Sequence, residues 1–111
     1  GRAAEDRADA HLRSLGYVIL ARNFKFKRLG ELDIVARDGD TLVFVEVKYR
    51  RFRSYGPPEA SLSPRKLATI RRVAEAWMLI HRYRGIPVRF DVIAVEQCGP
   101  GEEIRHYRNA F

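Results

Sequence analysis

Four charged side chains stand in two stretches that otherwise read as buried strands. Glu31 and Asp33 lie in Gly-Glu-Leu-Asp-Ile-Val-Ala, and Glu46 and Lys48 lie in Leu-Val-Phe-Val-Glu-Val-Lys. Charge inside an apolar strand is costly unless it is paired or bound to a metal. Residues two apart on a strand share a face, which groups Glu31 with Asp33 and Glu46 with Lys48. The Asp-Gly-Asp turn at residues 38–40 makes the strands antiparallel neighbours and sets Asp33 about level with Glu46. Strands run ~4.8 Å apart, so two carboxylates there can share one ion. A divalent cation such as Mg²⁺ takes hard oxygen ligands, keeps several waters and accepts a substrate phosphate. The competing reading is a cross-strand salt bridge from Lys48, but one lysine cannot neutralise three acids. Glu-x-Lys alone is a weak pattern, and its apolar context carries the information.

These residues need strands and helices to hold them. Residues 3–15 read as a helix, because Ala8, Leu12 and Leu15 recur at helical spacing, Ala4 extends the stripe, and Gly16 is a natural stop. Glu5 lies along the apolar face of that helix, and by itself it is a solvated first-turn acid favoured by the helix dipole. A first strand starts at residue 17 and continues through the alternating polar and aromatic residues 23–27. Residues 31–37 and 41–48 give the next two strands. Residues 49–63 read as a loop carrying Arg50, Arg51 and Arg53 interleaved with Tyr49, Phe52 and Tyr55. Ser63-Pro64 starts a second helix that runs to about His81. Its face of Leu67, Ile70, Ala74, Trp77, Met78 and His81 is read as core. Residues 88–95 form a further strand, and residues 103–107 add a short edge strand. The order is α-β-β-β-α-β with a final short β. Hairpins followed by a helical crossover demand a mixed sheet with helices on its faces.

The chain of 111 residues suits one domain. Its formal net charge is +7, with 17 Arg against 4 Lys. Arginine presents a planar fork that suits phosphate, so an anionic partner is expected, nucleic acid ahead of an acidic membrane surface. The single Cys98 cannot form an internal disulfide, and no Cys/His cluster suggests zinc. No apolar run approaches the ~20 residues of a membrane span and no signal-peptide core is visible, so a cytoplasmic location is the default expectation. Phosphate grip is expected from residues 22–28, including Lys25 and Lys27, and from Arg50, Arg51, Arg53 and Tyr55, whose ring can stack on unpaired bases. Lys66, at the start of the second helix, reads as a surface lysine that can also bring positive charge near the site. Asp91 follows Phe90 in a strand and is expected to pair with an arginine rather than a metal. His11 and His106 show no partner pattern.

Asp33 followed by Glu46-Val47-Lys48 resembles the PD-(D/E)xK signature of restriction-endonuclease-like nucleases. The wider chain is closer to one branch. Glu5 eleven residues before Gly16-Tyr17, Ala21-Arg-Asn23, Gly30-Glu-x-Asp33-Ile, Val43-Phe-Val-Glu-Val-Lys48 with Arg50, Gly56-x-Pro58, Lys66 and Arg89-Phe-Asp91-Val look like the YraN family of uncharacterised bacterial proteins. That family is related in fold to archaeal Holliday-junction resolvases. The resemblance implies a restriction-endonuclease-like α/β fold and a nuclease-type site. Asp33 and Glu46 would bind Mg²⁺ or Mn²⁺, with the backbone carbonyl of Val47. Lys48 would sit beside the attacked phosphate, Glu5 would reach in from the first helix, and Glu31 would be auxiliary. Leu32 stands where the signature has proline, and Ala4 where the branch usually has glycine. The implied activity is hydrolysis of nucleic-acid phosphodiesters, with DNA ahead of RNA and branched DNA as one target. A homodimer would suit paired cuts. The alternative is a non-catalytic nucleic-acid-binding module with the same fold.

Overall fold

The structure is a computed structural model that describes residues 2–51 and 62–111. The elements run α1 (Arg2–Ser14), β1 (Val18–Phe26), β2 (Gly30–Asp38), β3 (Thr41–Arg50), α2 (Pro64–Ile80), β4 (Val88–Cys98) and β5 (Gly101–Tyr107). They build one five-stranded sheet in sequence order, β1-β2-β3-β4-β5. The β1–β2, β2–β3 and β4–β5 pairs are antiparallel, and β3–β4 is parallel. A parallel pair needs a long crossover, and α2 lies within it. The expected order and mixed sheet are present, and the tail forms a full edge strand.

The two helices cover opposite faces. Ala4, Ala8 and Leu12 of α1 pack on Tyr17, Ile34, Ala36, Val43, Val45, Ile93 and Val95. Ile70, Val73, Ala74 and Trp77 of α2 pack on Leu32, Val35, Leu42 and Phe44. Strand β3 is central, so its run Leu42-Val43-Phe44-Val45 is buried on both faces. Each fully buried aliphatic side chain in these layers contributes roughly 1.5–3 kcal/mol.

Both helix junctions are set by local chemistry. Gly16 takes φ +89° at the end of α1. Its N–H bonds the Arg13 carbonyl at 2.9 Å, and the Tyr17 N–H bonds the Leu12 carbonyl at 3.0 Å. This Schellman pattern turns Tyr17 back into the core. At α2, the Ser63 hydroxyl accepts the Lys66 N–H at 3.1 Å with Pro64 in the first turn. His81, expected in the core, is exposed instead. It caps α2: its N–H bonds the Trp77 carbonyl at 3.0 Å, and its ring stacks on Trp77 with centroids 4.2 Å apart.

Candidate metal-binding site

The sheet loses its regularity where the candidate ligands sit. Strict alternation would put Leu32 and Ile34 on one face, yet Leu32 packs under α2 and Ile34 under α1. On the neighbouring strand, Arg22 reaches the α1 acids while Phe24 packs under α2. The register pairs Arg22 with Ile34 and Phe24 with Leu32, so Asn23 faces Asp33. Asn23 adopts φ +53°, a conformation asparagine tolerates better than most residues. Both strands therefore turn over at opposite residues and keep their pairing count. The β2–β3 ladder stops at Ile34–Val45, one step short of Asp33 and Glu46. In place of a ladder bond, the Val47 N–H donates to the Asp33 carboxylate at 2.8 Å.

Asp33 and Glu46 thus meet at the point where the ladder opens. Glu46 is buried and Asp33 is half-buried, and each carboxyl group feels the other. Burial and the adjacent Asp33 push Glu46 from its ordinary value up to about 7, against the opposing pull of Lys66 and Lys48. Burial also raises Asp33; the Val47 N–H opposes this and the charge of Glu5 adds to it. Two such acids cannot both ionise cheaply without a neighbouring cation. The pair therefore fits a hard divalent ion that completes its shell with water and phosphate.

Positive charge is present on two sides. Lys48 lies two residues along the same strand face as Glu46, and Lys66 brings its Nζ to 3.9 Å from Glu46 Oε2. Lys66, the surface lysine of the sequence reading, is thereby brought to the pair. Glu5 is placed less directly. It sits 3.7 Å from Arg22 Nη2, and its charge is felt at Asp33. Among the described residues, no third Asp, Glu, His or Cys joins Asp33 and Glu46 in a metal-binding group. Arg22 itself is spoken for, with Asp6 at 2.8 Å and Asp9 at 3.5 Å. Arg50 is ion-paired to Glu96, which is only 1% exposed and is also bound by Arg105 at 2.7 Å. Arg51 is exposed. Lys25, Lys27, Glu31 and Lys66 line one cleft. Arg53 and Tyr55 lie outside the described residues.

A second polar cluster, on the α1 face, is structural. Asp91 is fully buried. It accepts both Nε and Nη2 of Arg89 at 2.9 and 3.0 Å, His106 Nε2 lies 2.7 Å away, and the Asn109 N–H donates at 2.9 Å. Burial alone would raise its pKa, but these bonds hold it below the usual carboxylate value. Arg89 continues to the Tyr17 hydroxyl at 2.6 Å and Asp38 at 3.1 Å, and His106 meets His11 at 3.3 Å. The expected Asp91–arginine pairing is present. Its same-strand spacing to Arg89 was the available signal, whereas nothing local marked Tyr17, His11 or His106.

Residues 4–95 match the family described as Uncharacterised protein family UPF0102. A UPF0102 protein of Geobacter sulfurreducens is 47% identical over 112 residues, covering all of this chain and 87% of that protein. One from Acidothermus cellulolyticus is 45% identical over 122 residues, covering all of this chain and 92% of the relative. A third, from Persephonella marina, is 40% identical over 111 residues, with 91% of its length covered. On a family match spanning most of its length and on relatives at least 40% identical that cover all of it, the chain belongs to the UPF0102 family, the YraN-like proteins.

Proposed function

We propose that this protein is a metal-dependent nuclease of the PD-(D/E)xK type, with a restriction-endonuclease-like fold, acting on phosphodiester bonds of nucleic acid, DNA ahead of RNA. The observation that carries the reading is the pairing of half-buried Asp33 with buried Glu46, with Lys48 on the same strand face as Glu46. Asp33 and Glu46, with the Val47 carbonyl, are the residues that would hold Mg²⁺ or Mn²⁺. Such an ion supplies Lewis acidity and lowers the pKa of a bound water. The chain's own part is electrostatic. Lys48 and Lys66 draw a phosphate toward the carboxylates, and Lys48 stabilises negative charge developing on it. The Val47 N–H fixes the Asp33 carboxylate so that it is pre-oriented before an ion arrives. Arg22 restrains Glu5 at the margin, where it adds negative charge without closing on the pair.

The decisive experiment is a cleavage panel of branched, duplex and single-stranded substrates in Mg²⁺ and in Mn²⁺, with three variants. Cleavage should disappear on chelation and in Glu46→Ala. Asp33→Ala should lose the thermal stabilisation by Mn²⁺. Lys48→Ala should retain that stabilisation and lose cleavage. Normal cleavage by Lys48→Ala would overturn the assigned role. Salt-dependent binding with no metal-dependent cleavage by the wild type would instead favour a non-catalytic binding module. That second reading draws on the engagement of Glu5 with Arg22, which leaves two acids at the centre among the described residues.

A further inference from the structure

The end of β1, the β1–β2 turn and the first turns of α2 border an open cleft of about 340 Å³, lined by Lys25, Lys27, Arg28, Gly30, Glu31 and Lys66. Four cations face one carboxylate there. Local structure shapes both walls of the cleft. Lys27 takes φ +52°, and the turn is closed by the Leu29 N–H on the Phe26 carbonyl at 3.0 Å, which sends Lys27 and Arg28 outward together. Lys27 Nζ also rests 5.3 Å from the centre of the Phe26 ring, a cation–π contact that limits its wandering. On the other side, Gly30 lets the start of β2 lie directly against α2, since a Cβ at that position would come within 2.6 Å of Thr69 Cγ2. Lys66 belongs to both places: it lines the cleft and reaches Glu46. Several other basic residues are committed to acids, Arg22 to Asp6, Arg50 and Arg105 to Glu96, and Arg89 to Asp91.

We infer that this cleft anchors backbone phosphates of a nucleic-acid strand on one side of the Asp33–Glu46 pair, with Lys66 bridging the two. The inference rests on the nuclease reading for its direction, because Lys66 leads from the cleft to the carboxylates. Its chemistry requires only a polyanion. At about 340 Å³ the open cleft is large enough to seat one strand's phosphate and sugar. Glu31 opposes a compact, highly charged anion, and this favours the singly charged diesters of a polymer over free phosphate.

The test reads binding without cleavage. A fluorescently labelled single-stranded oligonucleotide is titrated in EDTA, and anisotropy gives Kd between 50 and 200 mM salt. The Lys25→Gln/Lys27→Gln variant is compared with Arg82→Gln/Arg84→Gln, which removes the same charge beyond the far end of α2. Each lost phosphate contact on a single strand flattens the salt slope by about 0.7. The cleft variant should therefore lose about sevenfold less affinity than wild type over that salt range, while the distal variant keeps the wild-type slope. Equal flattening in both variants would mean a net-charge effect and would overturn the anchor, as would an unchanged slope in the cleft variant. Competition by inorganic phosphate beyond that of chloride at matched ionic strength would assign the cleft to a small anion and also overturn it. Unaltered melting temperatures verify folding, since the substituted lysines and arginines are exposed. If the anchor fails while the wild type cleaves in Mn²⁺, the nuclease reading stands; if the anchor holds and nothing cleaves, that reading falls and the anchor remains.

Discussion

Glu46→Gln should make the metal-free protein more stable at alkaline pH, against the usual result of altering a buried charged residue. Glu46 rises from an ordinary 4.5 to about 7 in the folded state. An acid with a raised folded pKa binds its proton more tightly when folded, so stability falls as pH climbs from the unfolded pKa through the folded one. The loss begins above pH 4.5 and is complete above about 7. At 1.36 kcal/mol per pH unit its full size is about 3 kcal/mol. With the side chain only 8% exposed, solvent screens little of it. Glutamine has nearly the shape of the protonated acid and never ionises, so it escapes this cost. The assay is denaturant unfolding of both proteins in EDTA at pH 5 and pH 8.5. The variant should exceed wild type by only about 1 kcal/mol at pH 5 and by about 3 kcal/mol at pH 8.5. Mn²⁺ at 100 times its Kd should then stabilise wild type by about 2.7 kcal/mol and close most of the gap. A Glu46→Gln protein less stable than wild type at pH 8.5 without metal would refute the reasoning, because the carboxylates would then be held by protein bonds alone.

Asp91→Asn should destabilise the fold by about 3–5 kcal/mol, because it removes the buried charge that pairs with half-buried Arg89; equilibrium unfolding at pH 7 measures this. The lowered folded pKa of Asp91 makes its contribution complete above the ordinary carboxylate value and lost as pH falls through the folded one, so the variant should lack that part of the wild-type acid transition. Gly30→Ala should cost about 1–3 kcal/mol through overpacking against Thr69 and Val73. Thr69→Ala should recover much of that cost in the double variant, and additive losses would show that the contact with Thr69 is not the cause.

The elements that periodicity controls were legible in the sequence. The α1 stripe, the Ser63-Pro64 start of α2, the Asp-Gly hairpin and the crossover to Val88–Cys98 all follow from patterns within a few residues. His81 was misplaced for an instructive reason. It continues the apolar face of α2 by one turn, but the helix ends before it, and its ring nitrogen sits 2.9 Å from the Trp77 carbonyl. Helical spacing describes a direction, and burial needs a partner on that side.

The closeness of Asp33 and Glu46 was legible in the sequence, but the geometry of this candidate site was not. Alternation placed Asp33 near Glu46, which is where it lies, yet alternation is not what brings them together. A regular strand would have continued the ladder from Ile34–Val45 through the next pair and spent the Val47 N–H elsewhere. The inversion at Asn23 and Asp33 interrupts it. This lets Leu32 serve the α2 core, Ile34 serve the α1 core, and Asp33 turn its carboxylate onto β3. Asn23 therefore helps to form the candidate site although it touches neither acid in any described bond. A β-branched residue there would resist φ +53° and favour regular pairing. Asn23→Val should consequently weaken Mn²⁺ stabilisation as well as the fold, whereas Asn23→Gly, which accepts that backbone, should preserve the metal response. Thermal melts with and without Mn²⁺ separate the two effects. An unchanged Mn²⁺ shift in Asn23→Val would show that the carboxylate pair assembles without the inversion.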